Sequence, residues 1–165
     1  MATIRRLNHA VLFVRDLERS VAFYERSLGM ETVARYPGRM AFLRAKGSEN
    51  HHDLGLAAVG PNAPSPAPGA VGLYHLAWQV ERIEELRDVY ADLVASGGLT
   101  GASDHGATKS IYGVDPDGNE FEVMWAVPRD LWGEYENAAP TGPLHLEAEI
   151  ARFSRTPVST PAARP

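Results

Sequence analysis

At 165 residues, with a formal charge of -5 and no cysteine, the chain is long enough for one domain with its own core and too acidic for a nucleic-acid footprint. The missing thiols exclude disulfides, zinc–thiolate sites and cysteine nucleophiles, so any metal must be held by imidazole and carboxylate. No run approaches the ~18 apolar residues of a membrane span, and the start MATIRRLNHAVLFV lacks an apolar signal region; a cytoplasmic protein binding neither nucleic acid nor membrane is expected.

In chain order, Leu7–Val14 (LNHAVLFV) predicts a strand. Asp16 follows as an N-cap, Leu17, Val21, Tyr24 and Leu28 recur at helical spacing, and Gly29 closes the helix. Strands are predicted over Glu31–Tyr36, Arg39–Ala45 and Asp53–Val59. The same order then recurs. Leu73–Val80 (LYHLAWQV) is a strand with histidine third, Ile83–Ser96 a helix ended by Gly97-Gly98, and strands follow near Leu99–Ser103, Lys109–Val114 and Glu120–Ala126. Two βαβββ units are thus predicted, with His9 equivalent to His75 and Gly29 to Gly97.

The organisation expected is a single domain over 1–127: repeat one at 4–59, a linker at 60–72 and repeat two at 73–127. The linker carries prolines at 61, 64, 66 and 68, which bar helix and central strand. An extension and tail occupy 128–165. In them Pro128 opens a helix, 143–155 forms another, and Thr156–Pro165, with three prolines, frays.

His9 and His75, with apolar strand neighbours, are expected to be substantially buried, and Glu122 lies inside the strand EFEVMW. A buried carboxylate needs a cation, a hydrogen-bond network or a raised pKa. Taken singly, a strand histidine is more often a satisfied core residue, and Glu122 a rim residue. Equivalent places in a duplicated unit favour the other reading, in which His9, His75 and Glu122 converge as a two-histidine, one-carboxylate metal triad suited to non-haem Fe(II).

The segments LNHAVLFVRDLERSVAFYERSLGM, LYHLAWQV and DPDGNEFEVMW resemble the vicinal-oxygen-chelate superfamily, which includes glyoxalase I, fosfomycin- and bleomycin-resistance proteins and extradiol dioxygenases. The likeness spans roughly residues 4–127, and DPDGNxxE at 115–122 is its most specific motif. It implies an α+β fold in which two βαβββ repeats form an open, cup-shaped mixed sheet around a metal, helices outside, with His9, His75 and Glu122 as ligands.

Within that group, NHHDLG at 50–55 and HGATKSIY at 105–112 resemble the single-domain extradiol branch. The resemblance implies an acid–base role for His52 rather than its neighbour His51, substrate-pocket roles for His105 and Tyr112, and Fe(II), or Mn(II), as cofactor. The substrates implied are an aromatic diol and O2. Read alone, His52 and His105 are ordinary loop histidines and Tyr112 a packing aromatic; His145 reads as a surface residue. Rival readings are an isomerase or epimerase, for which Asp53 is the one carboxylate base to nominate; a fosfomycin-type transferase, using Lys109 with Arg39 or Arg44; and a metal-free drug-sequestering protein. Open sheet edges favour a homodimer, with Trp78, Trp125 and Trp132 as candidates for a pocket wall or interface.

Overall fold

Asp16 starts the first helix by accepting the Arg19 backbone N–H at 3.0 Å, and Gly29 ends it in the left-handed region (φ 61°) with its N–H on the Tyr24 carbonyl. Gly97 closes the second helix in the same way (φ 72°), so the duplication extends to backbone conformation. The computed structural model describes residues 2–154; the predicted tail at 156–165 lies outside the described residues. These residues pack as two units: 2–72 with Asp115–Asn119, and 73–114 with 120–154.

The first unit runs β1 (Ala10–Val14), α1 (Leu17–Leu28), β2 (Glu31–Tyr36), β3 (Met40–Arg44), β4 (Leu54–Ala58). Its sheet has the order β1-β4-β3-β2, with β1 parallel to β4 and the remaining pairs antiparallel. Alternation sends Leu12, Val14, Ala41, Leu43, Leu54 and Leu56 to one face, where Leu17, Val21 and Tyr24 of α1 cover them. The other face carries Val11, Phe13 and Phe42.

The second unit runs β5 (Leu76–Gln79), α2 (Glu85–Ser96), β6 (Leu99–Asp104), β7 (Thr108–Val114), β8 (Glu120–Ala126), β9 (Gly142–Pro143) and α3 (Leu146–Phe153), with 3-10 turns at Arg129–Leu131 and Gly133–Asn137 before β9. The order is β5-β8-β7-β6-β9. Ile111, Phe121, Val123 and Trp125 face the helices, and the fully buried Leu86 and Leu93 of α2 pack there; each such leucine contributes roughly 1.5–3 kcal/mol. Trp125 stacks on Phe153 of α3 at 4.9 Å.

The fold is therefore the expected α+β arrangement, made as two open mixed sheets, neither closed into a barrel. Among the described residues no helix is long and apolar enough to cross a membrane. Three local expectations are corrected. The strands begin at Ala10 and Leu76, not Leu7 and Leu73, because the ladders to β4 and β8 begin there. The helix opening at Pro128 amounts to one 3-10 turn: Pro128 is extended (ψ 133°) and Gly133 turns left-handed (φ 53°). The helix expected over 143–155 starts only at Leu146, since Pro143 pairs with Ser103 in β9.

The segment 115–119 lies between β7 and β8 in sequence but packs with the first unit. Gly118 (φ 86°) makes the tight turn, its N–H reaching the Asp115 carbonyl. The buried Asp115 carboxylate accepts the N–H groups of Asp117 and Asn119 at 2.9 Å, the Asn119 amide at 2.8 Å and the Tyr24 hydroxyl at 3.1 Å. Asp117 pairs with the Arg15 guanidinium at 3.0 Å. Burial, with the Asp115 charge next, raises the Tyr24 pKa far above its ordinary value, so Tyr24 remains a donor.

Candidate metal and substrate site

In the second unit, the pairing of β7 with β8 sets Tyr112 directly opposite Glu122 and Ser110 opposite Met124. Side chains therefore alternate in step on the two strands: Ser110, Tyr112, Glu122 and Met124 share the face away from the helices. Parallel pairing brings Ala77 beside Glu122, and His75, two residues before Ala77, falls on that face too. Its Nε2 lies 3.1 Å from Glu122 Oε2, while its Nδ1 is buried without a hydrogen-bond partner.

Ser110 is fully buried and donates its hydroxyl to Glu122 Oε1 at 2.5 Å, so one carboxylate oxygen is fixed and the other turned to His75. The Tyr112 hydroxyl contacts His105 Nε2 at 2.7 Å, and His105 Nδ1 meets the Pro140 carbonyl at 2.8 Å. Burial, then the Glu122 charge, raises the Tyr112 pKa above its usual value near 10.0. His75, Glu122, Tyr112 and His105 are thus brought together; Ser110 was not singled out by the sequence, because its place opposite Met124, two positions from Glu122, is set by the ladder.

In the first unit, His9 just precedes β1 and is exposed, contrary to the burial its apolar neighbours suggest, because residues 7–9 have no sheet partner. The equivalence survives: each histidine stands one residue before the first strand of its repeat. His9 Nδ1 donates to Asn8 Oδ1 at 3.0 Å. The half-buried His52 ring lies 4.5 Å from His9 and 4.8 Å from Phe42, while His51 is exposed. Partial burial, then the neighbouring His9 and His51, lower the His52 pKa below its ordinary 6.5, favouring the neutral imidazole.

Two residues of the rival readings have other work. Asp53 accepts from Ala45 N–H (2.8 Å), Ser48 Oγ (2.8 Å) and Asn50 Nδ2 (2.7 Å). Burial opposes its charge, but these donors prevail and hold its pKa low. Lys109 is buried on the helix-covered face, its Nζ 2.5 Å from Asp104 and 3.3 Å from Glu149. Trp125 likewise faces the helices, and His145 is exposed at the start of α3.

Among the described residues, no group of three or more His, Asp or Glu side chains is gathered tightly enough to hold a metal ion. What the second unit supplies is a pair, one imidazole and one anchored carboxylate. His75 Nε2 and Glu122 Oε2, 3.1 Å apart with Oε1 held by Ser110, fit two of the three donors of a two-histidine, one-carboxylate set.

A profile of the Glyoxalase/Bleomycin resistance protein/Dioxygenase superfamily matches residues 6–123. The chain is 34% identical over 127 residues to a catechol-2,3-dioxygenase of Bacillus subtilis (strain 168), covering 76% of this chain and 43% of that enzyme. It is 32% identical over 152 residues to biphenyl-2,3-diol 1,2-dioxygenase 3 of Rhodococcus globerulus, covering 87% and 78%. The chain thus spans less than half of the first relative's length and most of the second's. A fosfomycin resistance protein of Listeria monocytogenes shares the fold, with a TM-score of 0.58 at 22% identity, covering 76% of this chain and 96% of that one.

Proposed function

Because this chain belongs to the glyoxalase, bleomycin resistance and dioxygenase superfamily, we propose that it is a metal-dependent extradiol dioxygenase opening an aromatic diol with O2. The observation that carries the reading is the β7–β8 face, where Tyr112, paired across from Glu122, touches His105 while Glu122 faces His75. His75 and Glu122 are the ligands from the second repeat, and His9, which holds the equivalent place in the first, is the third. Fe(II), or Mn(II), held by these residues would supply Lewis-acid chemistry to the diol. Ser110 orients Glu122. Tyr112, held by His105, engages a diol oxygen, and His52, as a neutral imidazole, takes and returns its proton. The open edge strands β1 and β5 accompany the proposal of a homodimer.

Two residues nominated for rival readings are otherwise engaged. Asp53, the nominated isomerase base, is held by three donors, and Lys109, nominated for a phosphonate, is closed between two carboxylates. The test is anaerobic reconstitution with Fe(II) and, in parallel, Mn(II), followed by catechol or 2,3-dihydroxybiphenyl and air. A yellow ring-opened product that His52→Phe fails to form, while still binding metal, is expected. Stoichiometric metal with no product across a panel of catechols would refute the oxygenase reading, and no metal binding would favour the sequestering protein.

A further inference from the structure

The extension after Val127 encloses the turn that carries His105. The Tyr135 ring lies where a Cβ on Gly106 would come within 2.4 Å of it, and the carbonyl of Pro140 and hydroxyl of Thr141 approach His105 Nδ1 at 2.8 and 3.4 Å. Asp104, next in sequence, accepts the Gly106 N–H at 2.7 Å and the buried Lys109 ammonium at 2.5 Å. The imidazole is therefore gripped from the side opposite Tyr112.

A carbonyl oxygen can only accept, so the 2.8 Å contact requires the proton on Nδ1. A neutral imidazole has one ring proton, which leaves Nε2 as a lone pair. The 2.7 Å contact is then Tyr112 O–H donating to His105. Tyr112 has one proton, for which the Glu122 carboxylate across the ladder competes; the 2.7 Å contact assigns it to His105, which leaves lone pairs for the rest of that face.

We propose that Pro140, through its backbone carbonyl, is a positioning residue that locks His105 as the Nδ1–H tautomer, commits the Tyr112 proton to His105 and makes Tyr112 an acceptor for an incoming hydroxyl. This bears on the dioxygenase reading only through which group donates where Tyr112 meets a ligand. The tautomer itself does not rest on that reading, and it gives the extension a role in the site.

The test uses the full, metal-free chain labelled with 15N at histidine, at pH 8, with His105→Gln identifying the His105 signals. Two-bond nitrogen–proton correlations are expected to show a pyrrole-type, protonated Nδ1 and a pyridine-type Nε2. In Tyr112→Phe the tautomer is expected to persist while the Nε2 resonance shifts towards that of a ring without a donor. An Nε2–H tautomer or a doubly protonated ring in the wild type would overturn the proposal. So would a change of tautomer in Tyr112→Phe, which would make the tyrosine, not the Pro140 carbonyl, the determinant. Failure of catechol turnover refutes the dioxygenase reading alone and leaves these spectra unaffected.

Discussion

Replacing Ser110 with alanine removes the hydroxyl that donates to Glu122 Oε1 at 2.5 Å and that also neighbours the Tyr112 hydroxyl, from a side chain that is small and fully buried. A hydrogen bond to a charged group contributes about 1.5–3 kcal/mol. If that energy orients Glu122 towards a cation, its loss translates to roughly 10–100-fold in metal affinity, the range seen when groups behind a ligand are removed. Anaerobic titration of Ser110→Ala with Fe(II) or Mn(II), beside wild type, reads this directly, and urea unfolding of the metal-free proteins separates a folding defect from a ligand defect. Metal affinity within about twofold of wild type, in a variant that folds normally, would refute the argument that Ser110 presets the carboxylate.

Four further outcomes follow from contacts elsewhere. Asp115→Ala removes the buried carboxylate to which the Tyr24 hydroxyl and two backbone N–H groups donate and is expected to cost about 3–5 kcal/mol by denaturant unfolding; a loss below ~1 kcal/mol would mean the turn is not held by this carboxylate. Asp53 has a lowered pKa, so its stabilisation is complete above its ordinary value of 3.8 and fades as pH falls through the lowered one. The stability gap between wild type and Asp53→Asn should therefore be constant near neutrality and narrow only on acidification below that value; a gap that narrows around pH 6–7, the histidine range, would assign it to another group. Lys109→Ala leaves Asp104 and Glu149 facing each other without their shared cation and is expected to cost about 3–5 kcal/mol. Glu147→Ala, which opens an exposed pair with Arg87, is expected to cost under ~1 kcal/mol, and equal costs by thermal unfolding would contradict this use of burial.

The fold was legible in the sequence where local chemistry dominates. Asp16, Gly29 and Gly97 marked helix ends that the backbone adopts, and the strands Glu31–Tyr36 and Glu120–Ala126 have the bounds predicted for them. The sequence was silent where pairing decides. Apolar flanks suggested that His9 lies in a strand, but a strand needs a partner, and β4 reaches only as far as Ala10. Spacing across the DPDG turn left open whether Tyr112 and Glu122 share a face; the ladder register answers that they do. Ser110, Pro140 and Tyr135 carry no signal of their own, because their significance lies in which backbone or carboxylate they meet.

The turn at Asp115–Asn119 has a consequence for how this duplicated chain can come apart. Its anchors, Tyr24 and Arg15, lie in the first repeat, while the strand it feeds carries Glu122. A cut at residue 72 would not release two autonomous halves, because a fragment beginning at Leu73 would enter β8 from an untethered hairpin. Amide exchange at the start of β8 should accordingly follow the opening of α1 rather than that of α2. Five residues from the second repeat are thereby held by side chains of the first, so the two repeats are not interchangeable copies.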